Sequence, residues 1–387
     1  MNLLNRPFPY INTYDPNNAS ISYVEHSAAE QVLGKYDFTF WYCLFSCHHS
    51  FSVYNIETLV PSDILQRVRD REIFLILDNS LEPFLKSIDG IYDNLVVAAN
   101  IPPEQIILLA NLIDGQTHSL NIAKSRGVNP IRIMWFSLFE WDLHNTAVTK
   151  FPFEPVKGLE LKHYPKKFLN LNRRWRLHRP LLLTLMYKLD LIDQGYVSFG
   201  PCDAGDNWPD RWNEMINYYR DDPVITTLLL ENQGVKQLPP LYLDTNELHI
   251  NRAEFTHDLD KFYYDSYFSV IAETTYHTKN GHPNARFLSE KTFKAIAMKH
   301  PFIIASVPNT LDVLRQTGYK TFSPIIDESY DLEPDDGKRM LKIVYEINRL
   351  CNLQGAELTE FLTIAKQICD HNHHTLCSKT TFIHEMK

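Results

Sequence analysis

Short apolar runs alternate with stretches of helical spacing along most of the chain. Residues 36–47 are aromatic and apolar, and 72–77, 105–110 and 131–136 are apolar runs of strand length. Two of them end in small polar residues, Asp78-Asn79 and Asn111. Residues 61–70, 82–92 and 121–126 between them have helical spacing, and Pro102-Pro103 opens a short helix. Ser62 stands where an N-cap is expected and Gly127 where a helix stops. Strands separated by helices predict an α/β domain around a parallel sheet.

The stretch 150–167 holds Pro152, Pro155, Pro165 and Gly158 and reads as a linker. A second alternating region follows. It predicts strands at 167–171, 196–199, 268–272 and 302–306, and helices at 180–189, 289–298, 310–317, 336–351 and 357–371. Residues 203–240 read as a polar, irregular insertion with local helices. The expected architecture is two Rossmann-like α/β domains, 1–160 and 161–387, facing a cleft. Ligands in such folds sit beyond the carboxyl ends of the strands.

A length of 387 residues suits two cores better than one. The net charge of -9 argues against a protein whose main task is gripping duplex DNA. The densest basic patch is Arg173, Arg174, Arg176 and Arg179, with Lys166 and Lys167 before it. Only 13 glycines are present, and no Gly-rich fingerprint argues for a Rossmann dehydrogenase. None of the six cysteines forms a CxxC pair. Cys43 and Cys47 with His48 and His49 suggest a metal cluster, but no second Cys–His half lies nearby and 38–47 reads as a buried strand; His371, His373 and His374 have the same weakness and read as a solvated tail. Asp258-Leu-Asp260 lies in a charged stretch that reads as a helix face, so no metal or other cofactor is expected. The chain has no secretory signal pattern and no apolar run of about 18 residues, so a cytoplasmic protein without a membrane span is expected.

The chemistry concentrates in Val270-Ile-Ala-Glu-Thr-Thr-Tyr and in Arg286-Phe-Leu-Ser-Glu-Lys, the latter leading through a helix to His300-Pro-Phe-Ile-Ile. A strand ends in the carboxylate of Glu273, and a helix begins at Ser289-Glu290-Lys291. Ser289 can cap that helix, whose free N–H groups favour an anion, and Lys291 adds a positive charge. Glu290 can accept hydrogen bonds from a pair of ribose hydroxyls. An ordinary capped helix with a solvated lysine fits the same spacing.

This pattern resembles the donor-site signature of the α-1,3-fucosyltransferase-like family of GT-B glycosyltransferases, including bacteriophage and bacterial relatives. There a strand ends Glu-Asn and is followed by Tyr-x-Thr-Glu-Lys, a helix and a Pro-containing strand. Thr274 stands where that family has Asn, and Phe287 where it has Tyr. Phe168-Leu-Asn-Leu-Asn-Arg-Arg-Trp-Arg-Leu-His-Arg-Pro resembles the family's first donor-domain strand, with Arg179 as the phosphate-binding arginine and Arg173 and Arg174 as competitors. Thr317 to Asp331 also resembles the phage and bacterial relatives, and Asp327, Glu328 and Tyr330 within it either border the cleft or, the favoured reading, form a helix-capping turn.

The resemblance implies an inverting, metal-independent transfer from a nucleoside diphosphate sugar, with Glu290 on the ribose and Lys291 on the phosphates. Residues 1–160 would hold the acceptor, a glycan or a modified base in phage DNA. Its general base would be a strand-end carboxylate: Asp78 or Glu82, with Glu140 and Asp142 as rivals. Two other classes stay open: a non-catalytic protein that keeps the shell to bind nucleotide or glycan, and a phosphorylase-like or epimerase-like enzyme.

Overall fold

The computed structural model describes residues 40–44, 60–80, 86–145, 158–172, 175–200, 208–243, 260–278 and 285–384. The chain is mixed α/β and divides into two compact units. The first comprises Met1–Asp142, Ala285–Phe287 and Lys379–Lys387; the second comprises Leu143–Asn284 and Leu288–Ser378. The second unit thus begins at Leu143, and 285–287 and 379–387 group with the first unit.

In the first unit, β1 (Phe40–Leu44), β2 (Phe74–Asn79), β3 (Ile106–Ala110) and β4 (Arg132–Phe136) are parallel neighbours in chain order. The helices between them are α1 (Ser62–Arg69), α2 (Lys86–Ile91), which runs on into a π-helical turn at Tyr92–Ala98, and α3 (Gly115–Arg126). β3 is buried at all five positions, as a strand covered on both faces must be. Val60, Ile64, Leu75, Leu77, Tyr92 and Ile133 belong to the core that forms. Gly127 adopts φ 66° after α3, the left-handed cap that glycine takes at least cost. The expected cap at Ser62 differs: Pro61 is the capping residue of α1 and Ser62 is already helical. α4 (Leu138–Asn145) follows β4.

The second unit opens with β5 (Phe168–Asn172), α5 (His178–Lys188) and β6 (Gly195–Phe199). Gly195 is required there, since a Cβ would stand 2.5 Å from the Phe168 ring. The expected insertion contains α6 (Trp208–Tyr218) and α7 (Pro223–Glu231). Then come α8 (Asp260–Tyr264), β7 (Phe268–Ala272), α9 (Glu290–Ala297), β8 (Phe302–Ala305) and α10 (Thr310–Gln316). Two longer helices, α11 (Asp336–Cys351) and α12 (Gly355–Ser378), follow. The sheet is parallel, in the order β6-β5-β7-β8.

α12 extends past the expected end at 371 and corrects the solvated-tail reading. His371 and His373 contact the carbonyls of Gly318 and Ala297 from that helix. After α12 the chain returns to the first unit, where β9 (Ile383–His384) pairs antiparallel with β4. No helix among the described residues is long and apolar enough to cross a membrane.

Candidate functional site

The strand order of the second sheet singles out one place. From β5 the chain passes to β6 on one side; from β7 it passes to β8 on the other. β5 and β7 are neighbours whose connections leave in opposite directions, so their carboxyl ends flank a topological switch point, where open α/β sheets bind ligands. The described strands of the first sheet, β1 to β4, run in simple succession and have no such point.

Glu273 ends β7 at this point and is fully buried. Its Oε1 accepts the Ser289 N–H at 3.1 Å and the Thr292 hydroxyl at 2.6 Å. The carboxylate thereby ties the strand end to the first turn of α9, where the helix dipole favours an anion. Burial raises its pKa, and the nearby Lys291 ammonium opposes that rise. Ser289 caps α9 as the sequence leads one to expect, its hydroxyl accepting from the Lys291 N–H at 3.3 Å.

Glu290 and Lys291 form an ion pair with each other. Their side chains are 13% and 26% exposed, so neither stands out in solvent as an ordinary surface pair would. Arg179, in the first turn of α5, is buried and donates to the Ala272 carbonyl at 3.0 Å. Thr274 is half-buried. Phe287 is buried in the first unit and meets Phe139 edge to face at 6.0 Å. Its neighbour Arg286 holds the Asp114 carboxylate through two guanidinium hydrogen bonds of 3.0 and 2.6 Å and a backbone N–H bond of 3.3 Å in that same unit. Arg173 and Arg174 lie outside the described residues.

Sequence reading missed several groups at this edge. His178 is buried and stacks on Tyr276 with ring centres 4.9 Å apart. Burial, reinforced by His277 and Arg179, pushes its pKa well below the usual range and keeps it neutral. Arg339 also lies over the Tyr276 ring, 4.3 Å from its centre, and pairs with the buried Asp336 at 2.7 Å. Asp336 also accepts the Tyr218 hydroxyl at 2.6 Å and the Thr278 hydroxyl at 3.0 Å. Asn172, at the end of β5, donates to Asn170 Oδ1 at 2.6 Å, and Asn170 donates to the Val270 carbonyl at 2.7 Å. The buried atoms here that find no hydrogen-bond partner include Asn172 Oδ1, His178 Nε2, Glu273 Oε2 and Thr275 Oγ1 at the strand ends, and Arg339 Nε on α11. His178 lay inside the basic run already singled out; the others needed the strand order before they could be placed together.

In the first unit, Asp78 ends β2 fully buried, and its Oδ1 accepts from the Ser80 N–H at 2.9 Å and the Ser80 hydroxyl at 2.6 Å. Glu140 is also buried, on α4, and pairs with Lys379. Asp142 lies further along α4 and is half-buried. Glu82 falls outside the described residues, as do Cys47 and Asp258. Asp327 caps a 3-10 turn, and Glu328 within it pairs with Arg315 at 2.6 Å. Among the described residues no group of three or more His, Cys, Asp or Glu side chains is arranged to hold a metal.

No protein-family model matches the chain. No curated protein matches it either. Among solved structures, it is similar to the N-terminal domain of Candida albicans trehalose-6-phosphate phosphatase. That match has 11% identity and a TM-score of 0.44 and covers 96% of this chain and 74% of that one. It is also similar to a variant of S. aureus TarM in complex with Fondaparinux, alpha-GlcNAc-glycerol and UDP. Here the identity is 11% and the TM-score 0.33, over 80% of this chain and 52% of that one. Likenesses this distant fix neither fold nor chemistry.

Proposed function

We propose that the protein is a GT-B glycosyltransferase that binds a nucleoside diphosphate sugar at the carboxyl edge of its second sheet. The observation that carries this reading is the switch point between β5 and β7, bordered by two cations, Arg179 and Lys291, and by the amino end of α9. A diphosphate is the anion such a site suits, because helix N–H groups, an ammonium and a guanidinium all complement its charge. Glu290, drawn against Lys291, would exchange that partner for ribose hydroxyls while the lysine turns to phosphate. The resemblance of these segments to the fucosyltransferase-like signature supports the same roles.

In the transfer itself the acceptor hydroxyl, on a glycan or a modified nucleic-acid base, attacks the anomeric carbon. The bond to the diphosphate breaks with inversion, and a carboxylate takes the hydroxyl proton. Preorganised positive charge at Arg179, Lys291 and the α9 amino end stabilises the leaving diphosphate. Asp78 and Glu82 are the proposed bases.

A thermal-shift screen of UDP, GDP, dTDP and CMP with their sugars tests this reading. At a hundred times its Kd, a ligand specific for the folded state adds about 2.7 kcal/mol. We expect a nucleoside diphosphate to raise the Tm of the wild type and to lose that effect in Lys291→Ala and in Glu290→Ala. A shift that survives both changes refutes the site.

One observation favours a second reading, binding without turnover. Asp78, at the end of β2, and Glu140, on α4, are fully buried and both already bonded within the first unit. Slow donor hydrolysis by the purified protein would establish an enzyme; nucleotide binding with no hydrolysis and no transfer would leave the binding protein.

A further inference from the structure

An unbonded polar atom below the surface costs stability. Four at one strand-end edge are therefore a feature to be explained, and native chains keep such groups where an occupant completes them. Asn172 Oδ1, His178 Nε2, Glu273 Oε2 and Thr275 Oγ1 all belong to the two connections that flank the switch point. β5 and β7 run parallel, pairing Phe168 with Phe268 and Leu169 with Ser269; β5 ends at Asn172 and β7 at Ala272, one residue before Glu273. Arg179 binds the Ala272 carbonyl, and Ser306 donates to the Thr275 carbonyl at 3.1 Å.

Their chemistry is selective. An amide oxygen, a carboxylate oxygen and the lone pair of a neutral imidazole only accept; the threonine hydroxyl does both. Phosphate oxygens are acceptors and cannot satisfy the first three. Sugar hydroxyls donate and accept, and they can satisfy all four.

We infer that Asn172, His178, Glu273 and Thr275 form a hydroxyl-reading floor for the sugar half of the donor, distinct from the cationic groups that take the diphosphate. The assignment rests on the proposed function and adds the class of sugar to it: a hexose presenting free hydroxyls to this floor. The four atoms are enclosed, so the sugar enters as the segment after β7 yields. Thr274, Thr275, His277 and Thr278 on that segment are half-buried as residues.

Calorimetric titration of the full chain with UDP, GDP, UDP-glucose and GDP-mannose tests the inference, using Thr275→Val and Asn172→Leu. For the wild type, we expect the sugar ester to bind more tightly than its bare diphosphate. In Thr275→Val that advantage should fall about tenfold, the worth of one hydrogen bond, with affinity for the bare diphosphate unchanged. The ligand-free Tm should hold or rise, because the variant removes an orphaned hydroxyl. Asn172→Leu should reduce the advantage in the same way; should it fail to fold, Thr275→Val decides. An unchanged advantage in Thr275→Val overturns the floor and leaves buried water as the occupant, with the proposed function intact. A wild type that binds no nucleoside diphosphate, with or without sugar, overturns both.

Discussion

At the scale of single residues, burial decides which acids are unusual. Asp331 accepts from the backbone N–H groups of Thr310 and Leu311 at 3.0 and 3.2 Å, yet its burial outweighs those bonds and lifts its pKa from 3.8 to about 6. The folded chain thus holds this proton more tightly than the unfolded chain. Asp331 favours folding below about pH 4, and the advantage is lost as the pH rises through 6. Asp331→Asn keeps an acceptor without the charge, so the variant should lack about 3 kcal/mol of the wild type's loss between pH 4 and 7. Urea unfolding across that range measures it, and parallel curves for the two proteins would refute the shift. Glu273 follows the same logic with a different outcome for the reader of the sequence. A carboxylate ending a strand could be picked out as important. That it holds Ser289 and Thr292, and so fixes the start of a helix, could not.

The elements themselves were largely legible. β7 spans the predicted residues 268–272, and α11 coincides with the predicted 336–351, because each is a run of clear period bounded by polar or capping residues. Ser289 before Glu290 and Lys291 marked the start of α9 correctly for the same local reason. Removing that cap in Ser289→Ala should cost about 1 kcal/mol. It should also weaken nucleoside diphosphate binding if the first turn of α9 holds the phosphates. Equilibrium unfolding and calorimetry report the two effects separately. What the elements could not disclose was their order. The sequence β5, β6, β7, β8 is local information, whereas the arrangement β6-β5-β7-β8 depends on which strand each crossover reaches. Asn172 and Thr275 are separated by more than a hundred positions and became one site only through that arrangement.

For the whole molecule, the last residues matter more than their place in the chain suggests. Lys379 supplies the counter-ion of the buried Glu140, and Phe382 accepts from the Ser137 N–H at 2.9 Å. Ile383 and His384 then pair along β4. Breaking a buried ion pair from one side typically costs 3–5 kcal/mol. Lys379→Met should therefore destabilise the first unit by an amount of that order and spare the second. Hydrogen exchange would show this as faster labelling in residues 106–142 with residues 288–378 unchanged. Uniform acceleration would mean that the two units unfold together.

The path of the chain has a consequence for ancestry. It passes between the units at four peptide bonds, after Asp142, Asn284, Phe287 and Ser378. Neither unit is a contiguous cassette, so neither could be gained or shed by a single recombination. A gene fragment ending at codon 142 would encode β4 stripped of its edge partner, a bare strand rim of the kind that invites sticking between copies. Length changes tolerated by this lineage should then cluster inside each unit, and the four passages should be inherited together.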